Sequence, residues 1–171
     1  ESKEEAEAYV PLVARCVEAV ADNGLDPVLV LHGEDDARLA RAVQQRVSGA
    51  IPLHEEDDPV ALKRFLGESH LVIGSRFHAL VGALSQGVPA IGTSWSHKYE
   101  MLFREYGCED MLLPVPAEVG QVEARIDAAL GPGRAELTAR IRQAGEALQQ
   151  ESRAMWSAVD AVLDLPFQCS T

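Results

Sequence analysis

The sequence predicts an α/β domain of three layers around a central parallel sheet of about five strands. Three observations predict it. Short aliphatic and β-branched runs alternate with segments whose apolar residues recur at helical spacing. Each run ends in a polar loop that opens a helix, the order expected of βαβ units with right-handed crossovers. Finally, 171 residues with 47% hydrophobic and 25% charged content suit a single domain, residues 1–171, with one substantial core.

The elements follow in order. From Glu1 to about Asn23, Tyr9, Leu12, Val13, Cys16, Val17 and Val20 form an apolar helical face. Gly24 is its stop, and Pro11 marks a kink or the true start. Val28-Leu29-Val30-Leu31 reads as a strand buried on both faces. The loop His32-Gly33-Glu34-Asp35-Asp36 leads into a helix using Leu39, Ala40, Val43 and Val47. Ile51-Pro52-Leu53 is a short edge strand, because proline cannot donate to a central ladder. Asp58 caps the next helix with Pro59 at its first position, and Val60, Leu62, Phe65 and Leu66 supply its apolar face.

Leu71 to Ile73 is the third strand, Arg76 to about Gln86 a helix, and Val88 to Gly92 the fourth strand. His97 to Tyr106 is helical and ends at Gly107. Met111-Leu112-Leu113 is a fifth strand, closed by Pro114 and Pro116. A helix starting near Ala117 breaks at Gly131-Pro132-Gly133. A long amphipathic helix at about 134–163 then runs through Leu137, Ile141, Ala144, Leu148, Met155, Val159 and Val162.

The net charge of −12 disfavours nonspecific attraction to nucleic acid or anionic lipid, so any anion site must be local. Cys16, Cys108 and Cys169 have neither metal-ligand spacing nor the even count of a disulfide framework, which makes a reducing cytoplasm the default. No apolar run approaches the roughly 20 residues of a membrane span, and no signal-peptide core is present. The chain starts at Glu1 without a methionine and reads as a fragment or a processed chain.

In a parallel sheet all strand-to-helix loops share one rim, where ligands bind in α/β folds. Those loops carry His32 with Asp35 and Asp36, His54 with Glu55 and Glu56, Ser75 with Arg76 and His78, and Ser94, Ser96, His97 and Lys98. His70 falls on the opposite edge and has no assigned role. Gly74-Ser75-Arg76-Phe77-His78 is the most telling segment: a glycine and a capping serine, then arginine and histidine in a helix's first turn. The guanidinium fork of Arg76 suits a carboxylate or phosphate, or equally an ion pair with one of the many acidic residues. His78 is an acid/base or phosphate ligand, or a hydrogen-bonded core histidine. Lys98 reaches a phosphate or lies in solvent, His97 could simply cap its helix, and Trp95 stacks on a ligand ring or anchors its loop. The carboxylate pairs are a metal or base site, or solvated loops. No metal-ligand pattern, GxGxxG, P-loop or GxSxG occurs, so neither a metal nor a resident cofactor is expected.

Val72-Ile73-Gly74-Ser75-Arg76-Phe77-His78-Ala79-Leu80, with Ala83-Leu84, Gly87-Val88-Pro89, Ile91-Gly92 and Lys98, resembles the polysaccharide pyruvyl transferase family. The resemblance is tightest from Leu71 to Met101 and looser over most of the chain. It implies a Rossmann-like domain that is the C-terminal half of a GT-B-like enzyme. It further implies transfer of the enolpyruvyl or pyruvyl group of phosphoenolpyruvate to a hydroxyl of a cell-surface polysaccharide, as in exopolysaccharide and cell-wall biosynthesis. Arg76 and His78 would then be catalytic, and Ser75, Arg76, Phe77, His78, His97, Lys98 and His32 would bind substrate. The partners implied are phosphoenolpyruvate, a saccharide acceptor, and an N-terminal domain of the same enzyme lying outside this chain. Two other readings compete: the nucleotide-sugar half of a GT-B glycosyltransferase, with Glu100 holding a ribose, and a non-catalytic module. The module would bind a partner through the Gly24 to Glu34 face or the long C-terminal helix.

Overall fold

The structure, a computed structural model, describes residues 3–32, 34–93 and 96–163. Gly33, Ser94, Trp95 and Cys169 therefore lie outside the described residues. Within them the chain is α/β, with seven helices and five short parallel strands. The expected single sheet is instead two: β1 (Leu29–Leu31) pairs with β2 (Leu53–Glu55), and β3 (Val72–Gly74), β4 (Ala90–Thr93) and β5 (Leu112–Leu113) pair in that order. All pairings are parallel, with Leu29 opposite Leu53, Gly74 opposite Gly92, and Gly92 opposite Leu112.

α1 (Lys3–Asp22) runs unbroken through Pro11. That proline is exposed, so the hydrogen bond it cannot donate is lost on the solvent side. The apolar residues of α1 divide between two cores. Leu12 and Cys16 enter the larger one, whereas Val10, Ala14 and Val17 meet Val43 in a smaller one. One helical face read from sequence is thus two adjacent stripes, and α1 packs against both α2 (Glu34–Gln44) and α6 (Val119–Leu130).

The first strand departs from expectation. Val28 is 40% exposed and outside the ladder, and Leu29 and Val30 are only half-buried. Only Leu31 of β1 is buried, so the strand is not covered on both faces along its length. The second strand begins two residues late because Pro52 precedes the ladder and only its carbonyl takes part, accepting from the Leu29 N–H at 2.9 Å. His54 and Glu55 consequently lie in β2 and not in the loop after it.

α3 (Pro59–Gly67) starts as expected, with the Asp58 carboxylate accepting from the Val60 N–H at 2.9 Å. Leu62 and Leu66 are its buried residues; Val60, in the first turn, is 75% exposed and does not belong to the apolar face. α4 (Phe77–Leu84) is capped by Arg76, without a side-chain hydrogen bond, and not by Ser75. Its end explains the Gly-Val-Pro element. Gly87 takes φ +76°, its N–H bonds the Leu84 carbonyl, and the Val88 N–H bonds the Ala83 carbonyl, a Schellman termination. Val88 is therefore spent on the turn, Pro89 enters the pairing with β3 only through its carbonyl, which accepts from the Val72 N–H at 3.1 Å, and β4 begins at Ala90.

α5 (His97–Glu105) ends before Gly107 as expected, and a 3-10 turn (Glu109–Met111) takes up the methionine assigned to the fifth strand. α7 (Arg134–Leu163) follows the Gly131-Pro132-Gly133 break. Its first half buries Leu137, Ile141 and Gly145, whereas Met155, Trp156, Val159 and Val162 farther on are exposed. The larger core gathers Leu80, Leu84, Ile91, Phe103, Leu113, Ile126 and Ile141 around β4. Among the described residues, no helix is long and apolar enough to cross a membrane.

Candidate functional site

Parallel pairing puts the carboxyl ends of β3 and β4 on one rim, and the segments leaving them carry Ser75 to His78 and Ser96 to Lys98. The fixed point of this rim is Ser75. Its hydroxyl hydrogen-bonds the Tyr9 hydroxyl of α1 at 3.0 Å, and its carbonyl accepts from the Tyr99 hydroxyl of α5 at 2.5 Å. Two tyrosines, the half-buried Tyr9 of α1 and the buried Tyr99 of α5, thus clamp the turn that presents Arg76. Sequence periodicity assigned Tyr9 to an apolar face. Its hydroxyl was the signal that such a residue also needs a polar partner.

Arg76 stands at the N-cap of α4, where the helix dipole opposes a cation. A compensating anion is Asp36 of α2, whose Oδ1 lies 2.5 Å from Arg76 Nη2. The other oxygen, Oδ2, accepts from the backbone N–H of His32 at 3.0 Å. One carboxylate therefore joins the loop after β1 to the turn after β3, across two sheets that share no ladder. The alternative reading of Arg76 as an ion-pair residue is correct as far as contact goes, but the pair sits at the rim with the guanidinium side chain 58% exposed.

Phe77 and Lys98 adjoin this turn. The Phe77 ring meets Tyr99 edge-on at 5.5 Å, and Lys98 Nζ lies 5.3 Å from the Phe77 centroid and 5.1 Å from that of Tyr99. Such cation–π contacts at exposed sites contribute about 0.5–1 kcal/mol, enough to bias where a flexible lysine rests. His78 is exposed and meets Phe77 edge-on at 6.2 Å, which excludes the buried core histidine.

The remaining rim residues separate. His32 contributes its backbone N–H, while its side chain is exposed. His97 pairs with Glu100 at 3.4 Å, both exposed, so the carboxylate considered for a ribose is engaged by the histidine one turn before it. His54 stacks on Phe65 with centroids 4.0 Å apart, inside a strand. Asp58 is a helix cap, and Glu56 accepts from the Asp58 N–H at 3.0 Å, so this acidic run closes a turn. Burial pushes the Cys16 and Cys108 thiols up to about 12, with desolvation the main cause, and neither is available as a thiolate nucleophile near neutral pH. A cavity of about 180 Å³ beside Asp110, Leu137 and Arg140 lies at the amino end of β5, away from this rim.

Arg76, His78, Ser75 and Asp36 all fall in the segment that matches a known family. No solved structure matches the chain. The family match covers residues 2–97, from the start of α1 to the first residue of α5. By that match over more than half its length, the chain belongs to the polysaccharide pyruvyl transferase family.

Proposed function

We propose that this chain is the donor-binding half of a pyruvyl transferase, a single Rossmann-like domain of GT-B kind in which Arg76 and His78 act on phosphoenolpyruvate. The observation that carries the reading is Arg76 at the entrance of α4, inside the family match and on the carboxyl rim. Phosphoenolpyruvate bears a carboxylate and a phosphate. A guanidinium fork, the first-turn amides of a helix without a side-chain cap, and the nearby Lys98 ammonium are suited to both groups.

The chemistry asks for three things. The enol methylene carbon must gain a proton, a sugar hydroxyl must add to the adjacent carbon and lose its own, and phosphate must leave. It leaves either as a second sugar hydroxyl, also deprotonated, takes its place to close the ketal, or as the new methyl returns a proton to give an enolpyruvyl ether. His78, exposed beside Phe77, is the group in this reading that moves a proton. Arg76 and Lys98 hold the anion and stabilise phosphate as charge builds on it. Ser75, Phe77, His97 and His32 complete the donor side, Ser75 through its tyrosine clamp and His32 through its backbone. The saccharide acceptor, and the N-terminal half that would face it, belong to the same reading.

Ligand-observed NMR titrations with phosphoenolpyruvate and with UDP test this. Phosphoenolpyruvate binds and UDP does not, and Arg76→Ala weakens phosphoenolpyruvate about tenfold to a hundredfold, the range for one lost charge-assisted contact. Binding of UDP alone would replace the reading with that of a nucleotide-sugar transferase. Phosphoenolpyruvate binding that ignores Arg76→Ala would move the donor elsewhere.

A further inference from the structure

We infer that Asp36 is a positioning residue of this site: it fixes the Arg76 guanidinium for the donor anion, a role that rests on the donor-site reading. The two residues lie 40 apart in sequence and on segments following different sheets. Asp36 is itself held. Its side chain is 15% exposed, and Oδ2 accepts from the His32 N–H while Oδ1 meets Arg76 Nη2.

A carboxylate anchored to backbone by one oxygen is a rigid bracket for whatever the other oxygen binds. Arg76 needs one. It is 58% exposed at a helix N-terminus, where the dipole repels a cation and a long side chain has many rotamers. The pair does little for the fold, because ion pairs with an exposed partner add little to stability. Its value lies in the ordering of a flexible side chain before the ligand arrives, which lowers the entropic penalty of binding.

Asp36 is also an anion beside an anion site, and this makes the sign of its effect diagnostic. If charge repulsion dominated, Asp36→Asn would tighten phosphoenolpyruvate. If positioning dominates, the same substitution weakens it.

The test is a double-mutant cycle on phosphoenolpyruvate affinity, with Asp36→Asn, Asp36→Glu, Arg76→Ala, and Asp36→Asn combined with Arg76→Ala. Asp36→Asn weakens binding about fivefold to tenfold, Asp36→Glu restores most of it, and Asp36→Asn adds nothing once Arg76→Ala is present. Tighter binding in Asp36→Asn, or an Asp36 effect of equal size with and without Arg76, overturns the inference and leaves the donor site standing. An affinity indifferent to Arg76→Ala removes the donor reading and the inference together. A ligand-free measurement runs alongside: NMR of the Arg76 guanidinium shows slowed rotation about the Nε–Cζ bond in the wild type and faster rotation in Asp36→Asn. Equal rotation in the two, with the backbone amide spectrum preserved, also overturns it.

Discussion

The β3–β4–β5 region and the β1–β2 region follow the same strand-then-helix grammar but are built to different standards. Around β4, all four strand residues are buried, and Phe103, Leu80, Leu84, Ile126 and Ile141 close over the sheet. Around β1, two residues of three are only half-buried, and the local core is Val10, Ala14, Val17 and Val43 with partly exposed neighbours. The candidate site takes Arg76 from the first region and Asp36 from the second. A deep core fixes the turn that offers the guanidinium. A looser one carries the carboxylate that orients it.

The comparison breaks most readily at its large side. Phe103→Ala, at a fully buried position, lowers stability by about 3–5 kcal/mol, whereas Val43→Ala in the small core lowers it by about 1–2 kcal/mol. Urea denaturation followed by circular dichroism measures both, and equal losses would show that the two regions form one core of uniform quality. Native-state hydrogen exchange sharpens the point, with amides of β1 opening before those of β4.

A smaller effect contrasts two glycines that face each other across the β3–β4 ladder. A Cβ at Gly92 would stand 2.8 Å from Leu112 Cδ2 and 2.9 Å from Phe103, whereas one at Gly74 would meet nothing within 4 Å. Gly92→Ala therefore loses about 1–3 kcal/mol by overpacking, and Gly74→Ala stays within about 0.5 kcal/mol of the wild type in the same denaturation assay. Smallest is Asp58→Ala, which removes the α3 cap and lowers the melting free energy by about 1 kcal/mol; no change would show that solvent caps that helix equally well.

Much of this was legible in the chain. Gly24 and Gly107 marked helix ends, Asp58-Pro59 a helix start, and Gly131-Pro132-Gly133 the break before α7, because each acts through its own backbone within a few residues. The Arg76-Phe77-His78 element was legible for the same reason, as a cluster of chemistry on one turn. Less legible were strand limits: Val88 looks like strand but is consumed by the turn that ends α4, and Pro89 gives the ladder only its carbonyl. Asp36 was visible only as one acidic residue among many, and Tyr9 as one apolar position.

Composition, periodicity and punctuation by themselves determined the α/β class, the order of elements and the rim on which a charged site would lie. They act locally, over a turn of helix or a run of strand. What only tertiary structure decided was the division into two sheets, the splitting of α1 between two cores, and the choice of Asp36 as a partner of Arg76. Those outcomes depend on contacts between residues tens of positions apart. No local propensity encodes such a contact; it follows from how the helices pack.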